Sequence, residues 1–280
     1  MSWRIRIVHS TGYRYSAPVT RSYNEVRLTP RTDGRQNLMV NRIETTPSTR
    51  AYRYTDYWGT TVTAFDLHAP HTELKVVSSS VVETADGAEP ARGASWADLR
   101  GEPVRDRYTE MLGPTPYTPR DRELAGVATK LRRGAEPADA VRSACEWVHA
   151  QLRYHPGTTG VHTTAVEALR AGEGVCQDYA HLTLVLLRAM GVPARYVSGY
   201  LHTTPDAALL DTVRGESHAW IEAWTGAWWG FDPTNAIPIG PRHAWVAVGR
   251  DYADVAPLKG IYSGGESSAL EVTVDITRLA

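Results

Sequence analysis

Apolar and polar residues alternate along the first part of the chain. In WRIRIVH, Trp3, Ile5 and Ile7 fall on one face and Arg4 and Arg6 on the other, the period-two pattern of a half-buried strand. Similar short runs follow in NEVRLTP, NLMVNRIETTP, AYRYTDY, TTVTAFDLH and ELKVVSSSVVET, parted by turn signals such as TDGRQ and the Tyr57-Trp58-Gly59 corner. Short strands at this spacing predict an antiparallel β-sandwich over residues 1–85. The small, polar, Pro- and Gly-containing ADGAEPARGAS marks a linker, placed at 86–100, and 101–280 reads as a second domain.

Past the linker the period changes to that of helices. Thr118-Pro119, with Asp121 three residues after Thr118, predicts the start of one helix that Gly134 ends, with Leu124, Val127, Ala128 and Leu131 as its apolar stripe. A second follows Pro137 and aligns Val141, Ala144, Cys145, Val148 and Leu152. Thr164 and Glu167 form a capping-box pair that opens a third. The fourth runs from Cys176 to Met190, apolar nearly all round and therefore buried, and stops at Gly191 and Pro193. Strand patterns return in ARYVSGYL, HAWIEAW, AWWGFDP and LEVTVDITRL. Helices and strands in blocks, without strict alternation, indicate an α+β fold.

Composition narrows the function classes. A net charge of -1 with scattered basic residues favours neither nucleic acid nor an anionic membrane surface. No apolar run of membrane-spanning length is present, and the first residues read as a strand, not as an apolar leader. Nine Trp and fourteen Tyr against two Phe suit a β-rich core, or a partly wet groove. Two cysteines make no disulfide framework, so a reducing cytoplasm is the expected compartment.

Those two cysteines have different surroundings. Cys145 lies on an apolar helix stripe and reads as packing. Cys176 follows Gly172 and Gly174 in the first turn of its helix, where unpaired N–H groups and the dipole stabilise a thiolate and lower the thiol pKa. A base and an orienting group are on offer in SHAWIEAWTGAWWGFDPTN. His218 opens one strand, WTG or TGA turns, and the returning strand ends at Asp232. A three-residue turn puts His218 and Asp232 on one face, either directly opposed or diagonal with Asp232 opposite Trp220. Both registers keep their Cβ atoms within about 8 Å, whereas a two-residue turn would separate them. Taken singly, His218 also suits a core histidine and Asp232 a turn-former.

At these residues the chain resembles the transglutaminase-like superfamily, a branch of the papain-like cysteine enzymes. The resemblance rests on GEGVCQDYAHLTLVLLRAMGVPARYVSGYL, SHAWIEAW and WWGFDPTN, on the order Cys, His, Asp, and on YHPGTTGVHTTAVEAL, which is similar to the bacterial subgroup. More weakly, NEVRLTPR and DYWGTTVTAF resemble the β-rich region preceding the core in that subgroup. The resemblance implies a papain-like core with a central helix packed on an antiparallel sheet. It carries over Cys176 as nucleophile, His218 as general base and acid, and Asp232 as orienter, acting on an amide of a protein or peptide substrate through a thioester. Hydrolysis is favoured slightly over amine transfer, since water is always present and no amine site is evident; a silent peptide-binding scaffold is the alternative. The backbone N–H of Cys176 is the expected oxyanion donor, with Tyr154 and Gln177 as candidates for a second donor or a substrate contact.

No cofactor is expected. There is no acidic loop for calcium, and His155, His162 and His181 with Cys176 fit no common zinc spacing. Glu222 shares a face with His218 and reads as solvated, sheet-paired or a substrate contact. Asp178 favours the helix start but opposes a thiolate beside it. A homodimer is left open.

Overall fold

Alternation between buried and open positions carries the first strand much further than WRIRIVH. β1 (Ser2–Val19) buries Trp3, Ile5, Ile7 and His9 on one face. It is followed by β2 (Arg21–Val26), β3 (Gln36–Thr46), β4 (Ala51–Thr55), β5 (Thr61–Leu67) and β6 (His71–Ala85), one for each predicted run. The computed structural model describes residues 2–87, 90–215, 217–269 and 272–280. Ala88 and Glu89 of the expected linker and Leu270 and Glu271 of LEVTVDITRL lie outside the described residues.

Three short helices come next, α1 (Trp96–Arg100), α2 (Glu102–Arg107) and α3 (Thr109–Leu112). The longer α4 (Arg122–Arg132) starts later than Thr118-Pro119 predicts. Asp121 caps it, its carboxylate accepting from Glu123 N and Leu124 N, while the Thr118 hydroxyl accepts from the buried Arg188. α5 (Pro137–Gln151) buries Val141, Ala144, Cys145 and Val148. β7 (Arg153–Tyr154) leads to α6 (Ala165–Ala171), opened by the Thr164–Glu167 capping box, then β8 (Glu173–Gly174) and the central α7 (Cys176–Met190). Leu182, Leu184, Leu186 and Leu187 of α7 are fully buried, each a contribution of about 1.5–3 kcal/mol over an exposed position. Gly191 ends the helix in the left-handed conformation.

The remaining elements are β9 (Ala194–Leu201), β10 (Thr212–Gly215), β11 (His218–Trp224), β12 (Trp228–Asp232), β13 (Ile237–Pro238), β14 (His243–Gly249), α8 (Tyr252–Val255), β15 (Leu258–Ser263), β16 (Ser267–Ala269) and β17 (Thr273–Arg278). Helix α7 packs on the antiparallel sheet β13-β12-β11-β9-β14, with α4, α5 and α6 around it. A second sheet runs β10-β17-β1-β6-β3, with β16 also on β1, and a third runs β15-β2-β5-β4. Tyr15, Val26, Phe65, Leu74 and Val76 fill the space between these two, giving the β-sandwich.

The sandwich is knit to the helical core. Ile5, Ile7, Val82, Val274 and Ile276 share one apolar cluster with α5, α7 and β9. The Gln36 side chain bonds the backbone of Trp245 in both directions, at 2.9 and 2.8 Å. Glu222, 1 % exposed, takes Arg35 at 3.2 Å and Arg195 at 2.7 Å. It is an internal ion-pair hub; the solvated reading is corrected, while the sheet-paired reading agrees with its place opposite Arg195 of β9.

His9 belongs to the same seam. Its Nδ1 lies 2.9 Å from the Tyr200 hydroxyl, and burial pulls its pKa down to about 4. The folded state therefore keeps His9 neutral down to about pH 4, while the unfolded chain takes a proton near 6.5. Stability is intact above that pH and falls as acid is added, on the order of 3 kcal/mol from this group by pH 4. His9→Asn keeps an acceptor for Tyr200 and removes the titration. Urea midpoints measured from pH 7 to pH 4 should decline less in that variant; an identical decline would exclude His9 as a source.

Candidate active site

The start of α7 is built by the turn before it. Gly172 closes α6 with φ 68°, a conformation that glycine adopts without strain. Gly174 lies so near the helix that a Cβ there would stand 2.8 Å from the Cβ and Oδ2 of Asp178. That approach lets the Asp178 carboxylate accept from Val175 N at 2.8 Å and from the Thr159 hydroxyl at 2.6 Å. Asp178 is fully buried, and burial raises its pKa. Cys176 is the first helical residue and half-buried, so its side chain sits at the electropositive end of the helix.

Facing it is the β11–β12 hairpin. Ile221 opposes Phe231 and Trp224 opposes Trp228, which leaves Thr225, Gly226 and Ala227 as a three-residue loop. Asp232 therefore falls opposite Trp220 and diagonal to His218, the second of the two registers that share a face. His218 Nε2 and Asp232 Oδ2 are 2.7 Å apart. The Cys176 thiol interacts with the same ring closely enough to raise its pKa. With Nε2 committed to Asp232, Nδ1 is the ring nitrogen left for sulfur. Cys176 Sγ is 4.0 Å from the Ser217 carbonyl.

Electrostatics hold the group together. Burial alone would lower the His218 pKa, but hydrogen bonds and charge from Asp232 and Cys176 outweigh it and raise the pKa above the ordinary imidazole value. Burial would raise Asp232, yet hydrogen bonds to His218 and His243 keep its carboxyl well below the usual range. Asp232 is 0 % exposed, and several donors besides His218 converge on its carboxylate. Thr234 N and Asn235 N reach Oδ1 at 2.9 and 3.2 Å, and Asn235 Nδ2 reaches Oδ2 at 2.8 Å. The aspartate thus makes the Asp-Pro turn and holds the histidine with one side chain.

Of the other sequence candidates, Tyr154 lines the cleft of about 430 Å³ that holds His218, together with Val213, Arg214, Thr203 and Asn235. Gln177 is buried, its amide donating to Val161 O at 3.4 Å. Cys145 is fully buried and its thiol pKa is pushed up by burial. A larger cavity of about 900 Å³, beside Tyr23, Tyr52 and Lys259, contains none of the three central residues. His155, His162 and His181 engage Thr158, Tyr117 and Tyr252 respectively.

His243 and Asn235 were not anticipated from the sequence. The D-P-T-N order could have indicated Asn235 as a turn partner of the aspartate. No local pattern marks His243, which opens β14 and is 5 % exposed. Its Nε2 lies 3.5 Å from Asp232 Oδ2. His218, Asp232 and His243 place their ligand atoms within 4.8 Å of one another, a grouping able to grip a cation. However, Gly240 N donates to His243 Nδ1 at 3.2 Å, which puts the proton of the neutral ring on Nε2 and turns that atom into a donor.

A half-buried thiol at the start of a central helix, set against an imidazole and a carboxylate on an antiparallel sheet, defines a papain-like, transglutaminase-like fold, one that supports cysteine-based acyl transfer or hydrolysis. Residues 5–83 match the bacterial transglutaminase-like N-terminal region, and residues 125–233 match the transglutaminase-like superfamily core. An uncharacterized protein of Mycobacterium leprae is 56 % identical over 278 residues, spanning 99 % of this chain and 100 % of the relative. A protein-glutamine gamma-glutamyltransferase of Pseudomonas aeruginosa is 31 % identical over 157 residues, covering 52 % of this chain and 23 % of that one. The crystal structure of a proposed cysteine protease from Cytophaga hutchinsonii shares the fold, with a TM-score of 0.78 at 23 % identity over 100 % of this chain and 92 % of that one. The chain belongs to the transglutaminase-like superfamily. No helix among the described residues is long and apolar enough to cross a membrane.

Proposed function

We propose that the protein is a cysteine-dependent acyl-transfer enzyme acting on amide bonds of a protein or peptide, with Cys176, His218 and Asp232 as its catalytic residues. The reading is carried by an imidazole that opens on a cleft, is bonded to a buried carboxylate and is influenced by a thiol from a third element. Cys176 sulfur attacks the amide carbonyl carbon while His218 takes the thiol proton, and Asp232 stabilises the imidazolium that forms. The backbone N–H of Cys176 receives the developing oxyanion. As the C–N bond breaks, His218 returns the proton to the departing nitrogen, leaving a thioester. Water or an amine then attacks the thioester, His218 takes the proton of that nucleophile, and the acyl product leaves as sulfur regains a proton.

Hydrolysis is the favoured second half, because water is always present and no described residue lining the cleft selects for an amine. Of the two earlier oxyanion candidates, Tyr154 remains as a cleft wall, whereas the amide of Gln177 is directed to Val161 O. An extended polypeptide suits the site. Edge strand β10 borders the cleft through Val213, Arg214 and Gly215 just ahead of His218, and its pairing partner is β17 on the other side. The test is acid quenching of the enzyme with a glutamine- and amide-containing peptide library, followed by mass spectrometry of the Cys176 peptide. An acyl mass on Cys176 is expected, with release as free acid in preference to capture by a labelled amine. Exclusive amine incorporation would reverse the preference for hydrolysis. Equal binding by wild type and Cys176→Ala with no adduct and no turnover would replace the enzyme with a peptide-binding scaffold.

A further inference from the structure

We propose that His243 is a positioning residue: as a neutral Nε2–H imidazole it donates to Asp232 Oδ2 and, through that carboxylate, fixes the orientation and charge of His218. The inference rests on the catalytic reading of Cys176, His218 and Asp232 and adds a member that neither the family match nor the sequence pattern assigns.

The tautomer is set by the backbone. A peptide N–H can only donate, and Gly240 N lies 3.2 Å from His243 Nδ1, so that nitrogen is the acceptor. The charged and titratable groups facing the ring are Asp232, His218 and Arg242. Burial holds the His243 pKa below its ordinary value, so the ring stays neutral while His218 takes the charge. Trp220 walls the pair, its ring edge-on to His243 at 5.3 Å between centroids and 6.1 Å from His218. His243 does not line the cleft and its side chain is 1 % exposed, so it acts through Asp232 and not on substrate.

The division of labour on Asp232 explains why a third donor is useful. Thr234 N and Asn235 N fix Oδ1. Oδ2 carries the bond to His218, and Asn235 Nδ2 and His243 Nε2 approach it as well. A carboxylate gripped at both oxygens cannot rotate away when His218 gains its proton. The His243 contact is the longest of the set, so it serves as an outer brace that limits rotation of the carboxylate.

The test uses the full chain. His243→Phe keeps a ring and removes the donor; His243→Gln keeps an amide N–H at the reach of Nε2. NMR titration of the His218 imidazole and the pH dependence of Cys176 alkylation by iodoacetamide need no substrate, and kcat and KM are read on a peptide amide. The expected result for His243→Phe is a His218 titration moved down by about one pH unit, a roughly 10- to 100-fold lower kcat and an unchanged KM, with most of each restored in His243→Gln. A His218 titration and kcat that ignore His243→Phe would overturn the inference, as would equal losses in both variants that merely follow their melting temperatures. Should His243→Phe fail to fold, His243→Asn, whose amide falls short of Asp232, replaces it under the same criteria. Absence of any amide turnover, with a His218 titration that still follows residue 243, would sink the enzymatic reading and leave the structural coupling standing.

Discussion

Cys176→Ala is expected to abolish both thiol labelling and amide turnover of the native protein. The chain has two cysteines, and Cys145 is 0 % exposed with its thiol pushed up by burial. Iodoacetamide should therefore modify one site in the wild type, Cys176, and none in the variant until it unfolds. Turnover should fall by on the order of 10⁵- to 10⁶-fold, the size of effect seen when a nucleophile is removed from an acting triad. Stability should change by less than about 1 kcal/mol, since the residue is half-buried and its loss leaves no paired charge stranded. The substitution also removes one of the groups that raise His218, so the His218 titration should move to lower pH in the variant. Two labelled sites in the wild type, or turnover in the variant within tenfold of it, would refute the assignment.

Asp232→Asn should damage chemistry and fold together. The carboxylate accepts from Thr234 N, Asn235 N, Asn235 Nδ2 and His243 Nε2 as well as binding His218. An amide must direct its NH₂ at some of these donors whichever way it is turned. The buried mismatch costs about 1–3 kcal/mol, readable as a lower urea midpoint. Loss of the anion removes the strongest support for the His218 imidazolium and leaves the ring free to take the wrong tautomer, lowering kcat by roughly 10⁴-fold. The pH signature has a definite sign. Stabilisation of imidazolium is complete below the ordinary His value near 6.5 and is lost as pH rises through the raised folded value. The variant should lose that stabilisation at lower pH than the wild type. The Asp232 contribution runs the opposite way, present above the ordinary carboxylate value near 3.8 and lost as pH falls, so this acid-side component should vanish in Asp232→Asn. A variant retaining a tenth of wild-type kcat with an unmoved His218 titration would show that Asp232 does not orient the ring.

Residue period made much of the architecture readable. The faces of WRIRIVH and of the helix after Pro137 are buried as expected because each meets a sheet or helix along its whole length. The hairpin was readable to the level of side-chain facing, since the TGA loop fixes parity and parity alone decides whether His218 and Asp232 meet. Signals failed where local chemistry had competition. Thr118 reads as a helix start, but Asp121 reaches two free amides and Arg188 takes the threonine hydroxyl. Helix α2 buries no residue, so it has no apolar stripe to read. Sheet pairing of Glu222 was readable, but its ion pair with Arg35 was not, because nothing in its own strand announces a residue from a distant part of the chain. The same holds for His243, whose role arises from a turn that returns it to a carboxylate on another strand.

The order in which the strands join has a consequence for synthesis. β10, which leads to His218, is sheet-paired to β17, and β17 in turn pairs with β1. The strand that braces the approach to the histidine thus leaves the ribosome after every residue it braces. A nascent chain that already carries Cys176, His218 and Asp232 still lacks this support, and pairing across so much sequence is slow. The sheet beside the histidine therefore closes only once the last strand has been made.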